Sequence, residues 1–578
     1  MTQRFLIPFL IFTLLLSTGS GLSLFAQSKL IPSDTTRLVE ILGSRDYKFV
    51  KKDSATQLSI LVGNVRMKQG NTLFYCDSCV MNDRENLFEA FGNVHIKDGD
   101  TTDVYSDYLR YLTDKKLAYL KGKVKLTDGK GELTTPELEY DLNTHIGNYN
   151  NGGKLVNEKT TLTSQQGYYY SEFKDAYFKG NVVVVDPASR VESDSLLYNT
   201  ENRTVRFISE TLITDTSNRT IRTREGFYNL ANGKGEFGQN TIIRDGATTI
   251  TGGKIINDDS TGIAIIERNG VIRDTAQGFI LIGDRIFRNN KNESLLATKK
   301  PLMIVKQDED SIYITADTLF SARLSDLRRA PDTTQQREAG DSLQIASSDS
   351  LTAPADSTAL LVDTPRVPVA DSLVTDTLQG TVVLDAGKKD STNRYFEAYR
   401  NVRIFSDSMQ AVSDSMFYSF RDSVFRLYQS PVVWSKDSQI TGDTILLHTK
   451  NKKPDWMEVF ENSLLVNMVE PDIFNQIRGT RMDGYFIDGE IDSVRVRGSA
   501  ESIYYLQDED SAYTGVNQTT ADVLDVYFKN RELQKVVFRS EVKGTLWPIQ
   551  QKTPQEMRVR NFQWLDDRRP KTKFDLFQ

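Results

Sequence analysis

The residues best equipped for chemistry in this chain of 578 are three histidines, two cysteines and a large stock of carboxylates. His95, His145 and His448 are far apart, and none sits at a metal-ligand or triad spacing. His95 takes a position that Arg66, Lys125 or Val183 hold in matching stretches, which reads as a solvated strand face rather than a base. Cys76 and Cys79 form Cys-Asp-Ser-Cys, which invites redox or metal chemistry. On one regular strand the two thiols point to opposite faces about 10 Å apart, beyond disulfide reach. Two thiols without a histidine pair are also too few for a structural zinc. No phosphate-cradling glycine loop or nucleophile elbow occurs. Acids on adjacent strands could still cleave a glycan, so a carbohydrate-active enzyme stays open as an alternative. The reading is a non-enzymatic chain with no catalytic residue, cofactor or metal.

The elements that would position any site come from a repeat. Gly63, Gly92, Gly122 and Gly180 each open a Gly-Asn/Lys-Val stretch, with separations of 29, 30 and 58. A second pattern is a small residue, then Asp, then an apolar residue two positions on, then often Tyr. Instances are Ser106-Asp107-Leu109-Tyr111, Ser193-Asp194-Leu196-Tyr198 and Ser413-Asp414-Met416-Tyr418. A fixed period near thirty means stacked units that cannot bury an apolar face alone. Within each unit apolar residues alternate at two, so both segments are strands. The Asp would then share a face with Leu109 and Tyr111, at a high desolvation cost. We therefore expect a bend at the small residue, with the Asp accepting backbone N–H groups there. The expected fold is all-β: an elongated antiparallel jellyroll or β-solenoid half-pipe of two-strand repeats. If the two strands of each repeat meet as an open V, the stack encloses an apolar trough on the order of 40 Å long before the repeats are interrupted.

Residues 1–26 read as a cleaved signal peptide: Arg4, an apolar run from Phe5 to Leu16 that is short for a bilayer span, and a small-residue site at Ala26. Residues 27–57 form a lead-in, with Leu38, Ile41 and Leu42 able to cap the first repeat. Repeats occupy 58–324, and a Ser/Thr/Asp/Pro-rich segment at 325–393 reads as a disordered linker. A second repeat section covers 394–545, followed by a tail at 546–578 that would cap the far end or dock a partner. With 71 Lys and Arg against 78 Asp and Glu, the basic residues scattered singly, nucleic acid is not expected as a partner.

The paired patterns Gly-Asn-Val-x-Ile and small-Asp-x-Leu-x-Tyr resemble those of the OstA-like (organic solvent tolerance N-terminal domain) family, over 58–324 and more loosely over 394–545. The resemblance implies a periplasmic, non-enzymatic bridge or accessory protein of lipopolysaccharide transport to the outer membrane. Acyl chains of lipopolysaccharide or a related lipid would lie inside. Other transport components would add by edge-strand stacking, with head-to-tail self-association as a further option. Carried onto this sequence, the lipid-facing positions are Val65, Val94, Ile96, Val124, Leu126, Val182, Val184, Val402 and Ile404. The chain departs from the family in its greater length and its central polar segment. A structural or adhesive solenoid of the envelope is the alternative from a different class.

Overall fold

The computed structural model describes residues 38–51, 57–306, 311–327, 393–450, 453–487, 490–508, 510, 512–529 and 532–577. The signal peptide and nearly all of the central polar segment lie outside these residues. The described chain is almost wholly antiparallel β, with one α-helical turn at Leu324–Leu327 and three short 3-10 turns in the tail. It divides into two compact units, Met1–Glu158 with Gln165–Asp175, and Lys159–Ser164 with Ala176–Gln578.

In the first unit the strands Gln57–Gln69, Thr72–Asn82, Leu87–Asp98, Thr102–Leu112, Leu117–Thr127 and Glu132–Asp141 follow one another as hairpins. Each bends midway. The register between Leu87–Asp98 and Thr102–Leu112 steps from Phe91↔Tyr108 to Val94↔Ser106, one residue longer on the first strand. That extra residue belongs to a pair in left-handed conformation: Gly63-Asn64, Gly92-Asn93 and Gly122-Lys123 all have positive φ. Two consecutive left-handed residues turn an extended chain sharply, and Gly and Asn tolerate that region best. The Gly-Asn-Val pattern is therefore a corner in mid-strand, not a strand start. Gly92 is fixed sterically too, because a Cβ there would stand 2.4 Å from Asp77 Oδ2.

The small-Asp pattern lies opposite this corner. Ser106 Oγ donates to the Tyr108 carbonyl at 3.0 Å, and Thr135, Ser193, Thr223 and Ser413 repeat the bond to the carbonyl two residues on. The hydroxyl thus occupies a carbonyl that the bend removes from the ladder. The bend is as expected, but the Asp behaves differently. It points outward into solvent, where Asp77 accepts from Asn93 Nδ2 at 2.9 Å and Asp317 from Asn401 Nδ2 at 3.1 Å. Asp284, which follows Gly283 in a shorter match to the pattern, accepts from a backbone donor, the Asn269 N–H at 3.3 Å.

Each crossing consequently contributes its first half to one sheet and its second half to another, and the corners join the two sheets along one edge. Inward residues run 104, 106, then 109, 111, because the corner skips a position. This overturns the strand geometry expected for the cysteines. Cys76 and Cys79 straddle a corner, so both are buried on the inner side, and the Cys79 thiol is pushed up first by its hydrogen bond to Cys76 and then by burial. The lead-in also differs from expectation. Glu40–Gly43 and Asp46–Lys51 pair with Gln57–Gln69 as a further crossing, and Leu38, Ile41 and Leu42 remain 60%, 43% and 49% exposed instead of capping anything.

The second unit repeats the plan. Corners recur at Gly180-Asn181, Arg268-Asn269, Arg400-Asn401 and Glu461-Asn462. Several crossings there are split at the corner into two short strands, as in Thr204–Phe207 and Thr211–Asp215. Thr318–Arg323 pairs directly with Arg394–Phe405, so the residues flanking the central polar segment belong to one sheet of this unit.

Lys543–Pro548 still pairs with Tyr513–Lys529, and beyond it the tail leaves the stack. It runs across the outer side of the second sheet as a strap, the side opposite inward residues such as Ile440 and Leu465. Two glutamines bond its backbone and a third accepts from one of its side chains. Gln476 donates to the Met557 carbonyl at 3.0 Å and accepts the Val559 N–H at 2.9 Å. Gln439 does the same with Gln563 and Leu565 at 2.8 and 2.6 Å, and Gln410 accepts from Arg569 at 2.8 Å. Beneath the strap lie Trp434, Val466, Phe474 and Val516, all buried. In the first unit the corresponding outer face is polar, with His95, Lys97 and Lys125, and needs no cover.

Candidate functional site

The site candidate is the apolar interior between the sheets. The residue just after each corner and the one two positions on both point inward. In the first unit these are Val65, Val94, Ile96, Val124 and Leu126, and in the second Val182, Val184, Val402 and Ile404. All nine are buried, none more than 3% exposed. They line the second sheet, and residues such as Leu61, Ala90 and Leu120 line the first. Val94 and Val124 are brought close through the intervening Ser106 strand, and Ile96 and Leu126 through Val104. Full burial of each such side chain stabilises by about 1.5–3 kcal/mol.

Aromatic side chains fill part of this space. Phe74 of the second sheet meets Phe88 and Tyr111 of the first at ring-centroid distances of 5.3 and 4.9 Å, and Phe279 meets Phe396 at 5.2 Å in the second unit. The inner faces touch at these levels. The trough expected from the sequence is closed there, and a guest would have to part the sheets.

Parting them is opposed by a ladder of polar contacts along the edge opposite the corners. Tyr111 Oη donates to Gln69 Oε1 at 2.5 Å, and Gln69 Nε2 donates to the Thr113 carbonyl at 3.0 Å. One period on, the buried Asp98 carboxylate receives Tyr140 Oη at 2.8 Å, Thr72 Oγ1 at 2.8 Å and His145 Nδ1 at 2.6 Å. Next, Lys174 Nζ lies 3.7 Å from Asp128 Oδ2 and donates to the Asp128 carbonyl at 2.7 Å. Burial alone would raise the Asp128 carboxyl. The N–H groups of Gly131 and Lys130, the Tyr169 hydroxyl and the Lys174 ammonium outweigh it and hold the group below its ordinary range. In the second unit Asp186 pairs with Arg203 and accepts from Thr160 Oγ1 at 2.7 Å. Tyr198 stands beside them, its hydroxyl pushed up to about 12 by burial. Arg219 then reaches Asp259 at 2.8 Å, and Arg288 reaches Asp245 at 2.9 Å.

Sequence reasoning missed this ladder, although a signal was present. Gln69, Asp98, Asp128, Asn157 and Asp186 end strands at separations of 29, 30, 29 and 29, and Tyr111, Tyr140, Tyr169 and Tyr198 recur at 29. His145 belongs to it. The other histidines do not: His95 stacks between Tyr75 and Tyr105 on the outer face, and His448 stacks on Trp456. Among the described residues no group of three or more His, Cys, Asp or Glu could hold a metal ion, and no helix is long and apolar enough to cross a membrane.

Comparison with known proteins gives one family match: residues 37–194 fit the model of the OstA-like proteins. The solved structures that align include LptH from Pseudomonas aeruginosa, described as the LptA-homologous periplasmic component of the lipopolysaccharide transport device. It is 16% identical over 18% of this chain and 79% of that one, with a TM-score of 0.17. No curated protein matches.

Proposed function

We propose that this chain is a non-enzymatic protein of the bacterial periplasm that shelters acyl chains of lipopolysaccharide, or of a related lipid, between its two sheets on the way to the outer membrane. The observation that carries the reading is the inward row of Val, Ile and Leu set by the corners, in a chain whose residues 37–194 are OstA-like. An apolar interior bounded by a polar, separable rim has the chemistry to take chains out of water and give them back. Partners of the same transport route, or second copies, would add at a sheet edge. The crossing Glu40–Lys51, with Tyr47 and Phe49 more than half exposed, is suited to that addition.

The test is a like-for-like photo-crosslinker. A benzophenone side chain replaces the inward Phe88 or the outward Phe91, which is 40% exposed, and the exported protein is irradiated in cells. Crosslinks to lipopolysaccharide or another acyl lipid at 88 but not at 91 are expected. Equal labelling, or no lipid at either site and none in the purified protein by mass spectrometry, would end the reading. The contact of Phe74 with Phe88 favours the second reading, a filled structural solenoid of the envelope, which predicts that negative result.

A further inference from the structure

The strap does more than cover an apolar sheet. Where it passes the corners of the second unit it closes one side of a cavity of about 180 Å³, room for more than a single water. Three arginines line it: Arg478 from the sheet, and Arg560 and Arg568 from the strap. Arg478 has a distant partner, Glu501 at 3.8 Å. Among the described residues neither Arg560 nor Arg568 forms an ion pair. The one carboxylate in the lining, Asp443, already accepts Asn462 Nδ2, at 3.2 Å from each oxygen. Three arginines therefore border the cavity against one carboxylate in its lining, Asp443, and the more distant Glu501, an excess of positive charge that a bound anion would offset.

We infer that the cavity between the strap and the corner residues of the second unit is a binding site for a phosphate group, free or borne on a lipid headgroup. Guanidinium is the side chain best matched to such an anion. Its planar fork donates two N–H bonds to a pair of oxygens, and a tetrahedral phosphate offers oxygens toward more than one arginine at once. Because two of the three arginines stand on the strap, an anion bound there also ties the strap to the sheet, so binding and seating of the strap favour each other.

The experiment titrates the full chain with inorganic phosphate in one arm and with monomeric dihexanoyl phosphatidic acid in the other, by calorimetry at two salt concentrations. Arg560→Ala with Arg568→Ala is the test variant. Arg224→Ala, an exposed arginine paired with Glu210 away from the cavity, is the control. Saturable binding of either probe that weakens at least tenfold in the double variant and not in the control supports the site. The preferred arm then identifies a free anion or a headgroup. Both test arginines are exposed, so the variant keeps its fold, checked by tryptophan fluorescence. Absence of saturable binding in both arms, or binding that the double variant and the control weaken equally, overturns the proposal.

Discussion

Replacing Asp98 by Ala should loosen the rim of the first unit without touching the apolar interior. The carboxylate is the shared acceptor for Tyr140, Thr72 and His145. Its loss leaves the Tyr140 hydroxyl, on a residue with no exposure, and the Thr72 hydroxyl, 7% exposed, without that acceptor. A buried donor stripped of its partner costs about 1–3 kcal/mol, so two give roughly 4 kcal/mol, close to three decades in an opening constant. The chain carries its own reporters. Cys76 and Cys79 are its only cysteines, both lie inside this unit, and Cys79 has no exposure. Their alkylation under native conditions is limited by the fraction of molecules with parted sheets. The rate with a thiol reagent should therefore rise by two to three orders of magnitude in Asp98→Ala, and by about one in Tyr140→Phe, which removes a single donor. Urea unfolding of both variants gives the global stability separately. If alkylation is no faster in Asp98→Ala, or is faster only in proportion to global unfolding, the rim does not hold the sheets together and the reasoning fails.

The remaining predictions address other parts of the molecule. Asp128 is held below its ordinary range, so the stability it adds is present above the unfolded value near pH 4 and disappears as pH falls through the lower folded value; Asp128→Asn should lower the melting temperature at pH 6 and converge on the parent in strongly acid buffer. Gly226→Ala puts a Cβ 1.9 Å from the Glu236 carbonyl at φ +116 and should cost about 3 kcal/mol or more in denaturant unfolding, against about 1 kcal/mol for Gly246→Ala, whose Cβ meets open space. Gln439→Ala removes both backbone bonds to the strap, so hydrogen exchange at 557–577 should speed up more than tenfold while the sheets stay protected.

Much of the fold could be read from alternation and period. Val94 and Ile96 are inward because they alternate, and the spacing of Gly63, Gly92 and Gly122 marks equivalent points on successive crossings. What alternation cannot register is a step within a strand. The inward set steps by one position at the small-Asp bend that faces each left-handed pair, so Cys76 and Cys79, three apart, share a side that strict alternation denies them. The same step turns Asp77 outward. The rim ladder escaped because its members lie on different crossings and only the fold brings them together: Asp98 and His145 are 47 residues apart. The strap has no period at all. Its seat depends on Gln410, Gln439 and Gln476, which in sequence look like ordinary polar strand residues.

Each hairpin carries one left-handed pair on one of its crossings and a small-Asp bend on the other, so the hairpin contains a full set of turn residues. Excising a whole period, for instance the hairpin from Leu87 to Lys116, would delete one outbound and one returning run and rejoin matching ends, so everything downstream keeps its facing. Removing a single run would reverse the chain direction and invert every later side chain. Length in such a molecule is thus adjustable in increments of one hairpin, and gene segments encoding that increment are the natural unit by which its reach could grow or shrink.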